Sequence, residues 1–217
     1  MGGKLEGKPT DGIVSRYLNR KVSTRITAFI VKHKIPITPN QMSIISSLVG
    51  FTSFPLFITD NPILAGIMIQ VSSILDGVDG ELARYYGLAS KFGSFIDSIL
   101  DRLVNITALL GAILYLVLFQ GLNEAMHIAV YILVVTGDIM VSYLHARALL
   151  DLNKHPVFIG KIPSIASRDI RLFILFIGCI IGFIFESLLL IALLLIAILA
   201  YTYVLLKTIE IASHMLK

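Results

Sequence analysis

Six long apolar segments, separated by polar joints, dominate the chain from residue 41 onward. They cover roughly 41–58, 62–85, 91–119, 124–149, 168–185 and 187–213. A run of about 18 or more apolar residues is long enough, as a helix, to cross the hydrocarbon core of a bilayer. The joints read TDNP, YYGLASK, QGLNE, DLNKHPVFIGKIPSIAS and a turn at Glu186. The pattern therefore predicts an all-α polytopic membrane protein with six transmembrane helices.

The segment before the first span, 13–35, combines apolar residues at helical spacing with basic residues between them. The apolar set is Ile13, Tyr17, Val22, Ile26, Phe29 and Ile30. The basic set is Arg16, Arg20, Lys21, Arg25, Lys32 and Lys34. This combination is typical of an amphipathic juxtamembrane helix at a membrane interface, with a solvated helix of another domain as the alternative. Residues 1–12 form a predicted polar tail. Residues 36–217 form the predicted transmembrane domain, which opens with Thr38 and Gln41 as a helix-capping pair.

Composition and charge narrow the class further. The 217 residues are 56% hydrophobic with a mean hydropathy of +0.87. Cys179 is the single cysteine, so neither a disulfide framework nor a thiolate metal site is available. The formal net charge is +4, but the basic residues follow the predicted membrane boundary, which argues against a nucleic-acid partner. The joints near Asp60, Glu124 and Glu186 contain no Lys or Arg. The positive-inside rule therefore places both termini in the cytoplasm of a cell-membrane protein.

Four aspartates in two pairs are the strongest candidates for chemistry. Asp76 and Asp79 are three residues apart late in one span, and Asp97 and Asp101 are four apart early in the next. Those spacings place both members of a pair on one helix face. Carboxylates among apolar residues are costly unless neutralised, and clustered oxygen ligands suit a hard cation such as Mg²⁺ or Mn²⁺. The sequence predicts a metal site between these helices, in the cytoplasmic half of the membrane.

The aspartates belong to a longer spaced pattern, Asp76-x₂-Asp79-Gly80-x₂-Ala83-Arg84-x₈-Gly93-x₃-Asp97-x₃-Asp101. This pattern resembles, without a departure, the signature of the CDP-alcohol phosphotransferase family, and the span layout extends the resemblance over about residues 36–213. The resemblance implies a membrane-embedded, homodimeric enzyme. Such an enzyme moves a phospho-alcohol group from a CDP-alcohol to an acceptor hydroxyl and releases CMP.

The resemblance also implies roles for the residues of the pattern. The implied ligands of two Mg²⁺ or Mn²⁺ ions are Asp76, Asp79, Asp97 and Asp101. The implied CDP-binding residues are Asp79, Gly80, Ala83, Arg84 and Gly93. Asp101 is the implied general base, which takes the proton of the acceptor hydroxyl. Phosphoryl transfer needs charge neutralised at the pyrophosphate, which a metal pair can supply. Tight helix packing is the alternative explanation for the small residues.

A second basic group is predicted at the cytoplasmic end. Relatives whose acceptor is a phosphorylated polyol carry an SYxxAR pattern, which the SYLHAR of residues 142–147 resembles. The resemblance implies that the acceptor phosphate is bound by Arg147, Arg168, Arg171 and Lys207, although positive-inside topology alone also explains basic residues there. Asp138 lies within the fourth span. It is expected either to orient Arg147, to contact the acceptor, or to make an ordinary interhelical hydrogen bond.

The substrates are inferred from the flanking segments. KPTDGIVSRYLNRKVSTRIT and IPSIASRDIRLFILF resemble the transferase half of archaeal two-domain proteins that join CDP-inositol to inositol 1-phosphate, giving di-myo-inositol phosphate phosphate. A nucleotidyltransferase domain would then be fused to the chain or encoded separately. The alternative is a phospholipid synthase that uses CDP-diacylglycerol or CDP-archaeol with inositol phosphate or glycerol phosphate. A divalent-cation transporter is the remaining reading from another class.

Overall fold

The computed structural model describes residues 10–185 and 187–215 as a set of helices, with no strand in these ranges. The helices are α1 Arg20–Lys32, α2 Pro39–Phe51, α3 Ser53–Ile58, α4 Pro62–Tyr86, α5 Lys91–Gln120, α6 Ala125–Leu152, α7 Arg168–Gly182 and α8 Leu188–Met215. A π-helical segment, Ser15–Asn19, leads directly into α1, and a short 3₁₀ turn, Pro156–Phe158, interrupts the long joint before α7. Most of the predicted tail, 1–9 of 1–12, and the predicted turn at Glu186 lie outside the described residues.

Five helical stretches of the described chain are long and apolar enough to cross a membrane. They are Pro39–Ile58, which is bent at Thr52 between α2 and α3, and helices α4, α5, α6 and α8. The fifth predicted segment, 168–185, forms α7, but this helix has 15 residues and ends at Gly182 instead of 185. A Cβ atom added at Gly182 would lie 3.0 Å from the backbone nitrogen of Leu189, so α8 already crosses α7 there. The helices thus support an integral membrane protein, in which α7 is shorter than the segment predicted for it.

Local sequence chemistry sets the ends of the helices near the aspartates. The predicted capping box is present, since the Thr38 backbone nitrogen donates to Gln41 Oε1 at 2.8 Å and the Gln41 nitrogen donates to Thr38 Oγ1 at 3.3 Å. Helix α4 ends at Gly87, whose φ of +65° suits a residue without a side chain. Helix α5 begins after Ser90, whose hydroxyl accepts from the Gly93 nitrogen at 3.0 Å. This short joint turns the chain back, so that α4 and α5 run antiparallel.

The main apolar core lies towards the opposite end of the helices from the aspartates. Phe57, Ile69, Leu116, Leu175 and Leu193 come from five different helices, and each is at most 3% exposed. Small residues bring the helices close together: a Cβ added at residue 178, a glycine, would lie 2.5 Å from the Cβ of residue 192 on α8. The site end is left comparatively open, because α4 packs mainly on α2 and α7 while α5 packs on α2 and α3.

The helical segment before the first span packs on α4 through its polar face. Its buried residues are Asn19, Ser23, Thr27 and Ile30. Most of the predicted apolar set is exposed instead, at Ile13, Tyr17, Val22 and Phe29. This arrangement is the reverse of a helix on a soluble protein, whose apolar side faces the core. The segment's exposed apolar residues lie on the side away from α4, so this surface is available for a contact outside the described helices.

Candidate active site

The aspartate pairs converge at the open end between α4 and α5. One carboxylate oxygen from each of Asp76, Asp97 and Asp101 lies within 4.8 Å of the other two. Asp76 is ten residues before the end of α4 and Asp101 is ten residues after the start of α5, so both lie ~15 Å along their helices from the joint. Sequence spacing alone predicted this convergence, and the structure brings three of the four carboxylates into one cluster.

The guanidinium of Arg168 bridges two of these carboxylates. Its Nη1 lies 3.0 Å from Asp76 Oδ2 and 3.0 Å from Asp101 Oδ1, while its Nε donates to Asn105 Oδ1 at 3.1 Å. The Arg168 side chain is 15% exposed, so this cation is largely withdrawn from solvent. Helix α7 therefore contributes a positive charge directly to the aspartate cluster.

Asp79 lies on the side of the cluster that borders a cavity, which it lines together with Asp97. It is 6% exposed and accepts a short hydrogen bond from the hydroxyl of Ser43 on α2. The cavity, of about 290 Å³, is lined by Asp79 together with Gly80, Ala83, Arg84 and Gly93, the full set predicted to bind a nucleotide. The other residues that line this cavity are Pro39, Asn40, Ser43, Leu88, Ala89, Ser90, Ser94 and Asp97.

Arg84 is the feature of this cavity that most clearly lacks a partner. Its Nε and Nη2 atoms are buried and donate no hydrogen bond within the described structure. Buried polar atoms are nearly always hydrogen-bonded, so two unpartnered donors at a cavity wall indicate a place for an anionic ligand. Gly93 contributes space, because a Cβ at this position would lie 2.9 Å from Asn40 Oδ1 and 3.1 Å from Ser90 Oγ. A larger residue here would displace the side chains of Asn40 and Ser90, which line the same cavity.

A buried polar network extends from the cluster into the helix bundle. Asn105 donates to Asp138 Oδ1 at 3.2 Å, and the same oxygen accepts from Arg171 Nε at 2.8 Å. Arg171, which is 2% exposed, also donates to the carbonyl of Ala166. Asp138 thus pairs with Arg171 and Asn105. The expectation that it orients Arg147 is wrong, because Arg147 pairs with Asp151. Because Asn105 also accepts from Arg168, the network links the aspartate cluster to the start of α7.

The two remaining cations predicted for the acceptor phosphate have other partners. Arg147 lies on the surface, 49% exposed, and pairs with Asp151 at 2.7 Å. Lys207 is fully buried, and its ammonium donates to Ile159 O at 2.5 Å, to Ile162 O at 3.0 Å and to Glu210 Oε2 at 2.8 Å. An ammonium group has three donors, and those of Lys207 are used by two carbonyls of the joint before α7 and by Glu210 of α8. In this arrangement neither residue offers a free donor beside the aspartates.

The donor set fits a divalent cation. Asp76, Asp97 and Asp101 supply only carboxylate oxygens, which suit a hard ion such as Mg²⁺ or Mn²⁺ rather than a soft one. Arg168 contacts Asp76 and Asp101, and one guanidinium brings a single positive charge to a cluster of three carboxylates. The chemistry of these side chains therefore supports the predicted metal site.

Several site residues were missed from the sequence. Asn40 and Ser43 lie on the cavity side of α2, and Asn105 lies one turn after Asp101 on α5. Polar residues spaced three or four apart within apolar spans were the available signal, because such residues are expensive in a membrane interior. Nothing in the spacing, however, indicates which helix each residue faces.

Comparisons with known proteins place the chain among membrane transferases. The family model described as CDP-alcohol phosphatidyltransferase matches residues 36–205. The bifunctional IPC transferase and DIPP synthase of Thermococcus kodakarensis is 41% identical over 168 residues, which are 76% of this chain and 36% of that protein. The archaetidylinositol phosphate synthase of Pyrococcus horikoshii is 39% identical over 142 residues, which are 65% of this chain and 69% of that protein. The chain thus spans about a third of the length of the bifunctional relative.

The fold also matches solved structures. The Mycobacterium tuberculosis phosphatidylinositol phosphate synthase with CDP-DAG bound aligns with a TM-score of 0.73 at 17% identity, covering 88% of this chain and 93% of that one. The same enzyme in complex with manganese and citrate aligns with a TM-score of 0.71 at 18% identity, covering 87% of this chain and 88% of that one. At this identity the likeness establishes the fold alone.

Proposed function

Because the chain belongs to the CDP-alcohol phosphatidyltransferase family, we propose that it transfers a phospho-alcohol group from a CDP-alcohol to the hydroxyl of an acceptor alcohol and releases CMP. The observation that carries this proposal is the cavity beside the aspartates, in which the buried donors of Arg84 have no protein partner. Its lining of small residues and one free guanidinium suits the flat base and the anionic phosphates of a cytidine diphosphate.

The chain's own residues divide the reaction between them. Asp76, Asp79, Asp97 and Asp101 would hold two Mg²⁺ or Mn²⁺ ions, which supply charge neutralisation at the pyrophosphate. Asp101 takes the proton of the acceptor hydroxyl. The acceptor oxygen forms a bond to the β-phosphorus of the donor as the bond from that phosphorus to the α-phosphate oxygen breaks. CMP leaves with that oxygen, so no covalent enzyme intermediate is required.

The acceptor phosphate is proposed to bind on the α7 side of the cluster. Arg168 supports this location, since it already contacts Asp101 through Nη1 at 3.0 Å. Arg171, held by Asp138, lies one helical turn further along α7 and adds positive charge to the same side. Arg147 and Lys207 would join the acceptor site only if their bonds to Asp151 and to the joint before α7 opened.

The relatives support a choice of donor alcohol. We propose CDP-inositol with inositol 1-phosphate, giving di-myo-inositol phosphate phosphate, because the bifunctional IPC transferase and DIPP synthase of Thermococcus kodakarensis is 41% identical to this chain over 168 residues. A fused or separate nucleotidyltransferase would then make the donor. The second candidate is a phospholipid synthase, which the 39% identity to an archaetidylinositol phosphate synthase favours. A cation transporter is not supported, because an apolar core fills the opposite end of the described helices.

The membrane arrangement is part of the proposal. Six spans, with the 15-residue α7 as the short one, put both termini and the aspartate cluster on the cytoplasmic side. The segment 13–35 lies at the lipid interface with its exposed apolar residues in the membrane, and 36–217 forms the transferase domain. The enzyme acts as a homodimer, as its family resemblance implies.

A CMP-release assay in detergent tests the proposed reaction and its substrates. CDP-inositol and a CDP-dialkyl or CDP-diacyl lipid are each combined with inositol 1-phosphate or glycerol 3-phosphate in the presence of Mn²⁺ or Mg²⁺. Turnover with CDP-inositol and inositol 1-phosphate alone supports the soluble-product reading. Turnover with a lipid donor establishes the phospholipid synthase instead. No CMP from any of the four pairs contradicts both substrate assignments.

A further inference from the structure

Two residues inside the aspartate motif face away from the site. On α4, Gly77 lies between Asp76 and Asp79, and Glu81 lies two residues after Asp79. Neither Gly77 nor Glu81 lines the nucleotide cavity. Glu81 is 1% exposed, although a buried carboxylate is costly without partners. Its role is therefore set by what packs against this face of α4.

Glu81 is held entirely by the helical segment that precedes the first span. Its Oε1 accepts from Arg20 Nη1 at 2.7 Å and from the Ser23 hydroxyl at 2.7 Å, and its Oε2 accepts from the Thr27 hydroxyl at 2.6 Å. Three donors from α1 thus satisfy one buried carboxylate of α4. Such fully satisfied buried networks fix geometry, and the loss of one partner is felt by the rest.

The Arg20 side chain contacts the motif a second time, at the backbone of α4. The same Nη1 donates to the carbonyl oxygen of Gly77 at 3.1 Å, while Nε and Nη2 bind the carboxylate of Asp11 at 2.9 and 3.1 Å. Gly77 permits this approach, because a Cβ there would lie 3.1 Å from Ser23 Oγ. One guanidinium therefore binds both ends of the helical turn from Gly77 to Glu81, which starts directly after Asp76.

The charge state of Arg20 agrees with this role. Burial would lower the pKa of its guanidinium, but the hydrogen bond to Glu81 and the charges of Asp11 and Glu81 outweigh burial and hold that pKa above its ordinary value. Arg20 is thus a permanent cation facing Asp11 and Glu81.

The contact extends along α4 and reaches α7. Asn19 donates to the Ser73 hydroxyl at 3.1 Å and accepts from Gln70 Nε2 at 2.8 Å, so α1 follows α4 for three turns on the face beside the aspartates. The backbone nitrogen of Ser15 donates to Asp169 Oδ2 at 2.5 Å, immediately after Arg168 in the chain. The same segment therefore contacts α4 and α7, two of the three helices that supply charge to the cluster.

We propose that Arg20 and Glu81 form a positioning pair, which fixes the turn of α4 carrying Asp76, Asp79 and Gly80 against α1. This inference rests on the proposed function of that turn in metal and nucleotide binding. The segment before the first span is then a working part of the transferase centre as well as a membrane contact. Neither residue touches substrate; both act through the backbone and side-chain geometry of α4.

The test compares binding with stability in matched variants. Mn²⁺ binding is measured by electron paramagnetic resonance, CDP binding by calorimetry and folding by thermal unfolding, all in detergent and without turnover. Arg20→Gln should weaken Mn²⁺ and CDP binding about tenfold or more, since the turn loses its brace. Arg20→Lys, which can keep a single bond to Glu81 but not the fork, should fall between wild type and Arg20→Gln.

Two control variants separate positioning from simple anchoring. Arg25→Gln removes an exposed cation from the same helix and should change neither binding nor stability. Thr27→Val removes one bond to Glu81 but leaves both contacts of Arg20 with α4, so it should lower the unfolding temperature and weaken Mn²⁺ binding by less than Arg20→Gln does.

The proposal is overturned if Arg20→Gln, or Arg20→Lys should the first variant not fold, only lowers the unfolding temperature and binds Mn²⁺ and CDP as wild type does. Because these readouts need no turnover, the result stays informative if the CMP-release assay fails. Failure of that assay with intact binding effects would contradict the proposed reaction and not the positioning pair.

Discussion

Replacing Arg168 by glutamine tests whether this guanidinium shares its oxygens with a metal ion. Its Nη1 is 3.0 Å from both Asp76 and Asp101, which are 27% and 16% exposed, so each contact is a partly buried, charge-assisted hydrogen bond. Such bonds contribute about 1.5–3 kcal/mol each. With the lower value for both, Arg168 stabilises the metal-free cluster by about 3 kcal/mol. The Arg168→Gln protein in EDTA should therefore unfold more easily than wild type, by about that amount.

The same arithmetic predicts a gain in metal affinity. A divalent cation at Asp76 and Asp101 would compete with Arg168 for the same two oxygens, and about 1.4 kcal/mol corresponds to a tenfold change in affinity. Loss of both bonds should tighten Mn²⁺ binding by about tenfold to a hundredfold. Titration of free Mn²⁺ by electron paramagnetic resonance measures this, with Arg25→Gln as the control. Unchanged or weaker Mn²⁺ binding in Arg168→Gln would refute the competition.

Four further substitutions probe other parts of the account. Asp101→Asn should lower the CMP-release rate by about 10²–10⁴-fold while CDP-alcohol still binds, which calorimetry checks. Arg84→Ala should raise KM for the CDP-alcohol about tenfold or more, because it removes the unpartnered donors of the cavity. Lys207→Met should lower the free energy of unfolding by about 3 kcal/mol, since it leaves the buried carbonyls of the joint and Glu210 without their cation. Gly178→Val should lower it by about 1–3 kcal/mol, measured by thermal unfolding, because its side chain would meet α8.

The aspartate cluster was predictable because its information is local. Asp76 and Asp101 each share a helix face with the other member of their pair. Their helices are joined by a short turn, whose ends are set by Gly87 and Ser90. Helical periodicity and joint length therefore determine that α4 and α5 present carboxylates to each other. The nucleotide-binding set was implied by the family resemblance and stays a prediction, although all of its members line one cavity between these two helices and α2.

The partners of the basic residues were not predictable in this way. Lys207 was expected at an acceptor phosphate, yet it is buried against the carbonyls of Ile159 and Ile162. Those carbonyls lie more than 40 residues earlier, in a joint whose path no periodic pattern determines. Arg168 likewise contacts carboxylates on two other helices. Long side chains choose partners by tertiary proximity, which spacing within one helix does not contain.

For the segment before the first span, the apolar periodicity predicted the helix but not which of its sides packs on the protein. Its apolar periodicity predicted a helix with one apolar face, and the described residues 13–32 are helical. The protein-facing side, however, is the polar one, with Asn19, Ser23 and Thr27 against α4. In a lipid environment apolar residues need not face a protein core, so periodicity identifies a face without saying what covers it.

The most direct test of the central claim is CMP release by the purified protein with CDP-inositol, inositol 1-phosphate and Mn²⁺, compared with Asp101→Asn under the same conditions. The account predicts CMP only when the donor, the acceptor and the metal are all present, with nearly complete loss of CMP in the variant. CMP formed at the wild-type rate by Asp101→Asn, or formed by wild type without any acceptor, would contradict transfer at the aspartate cluster.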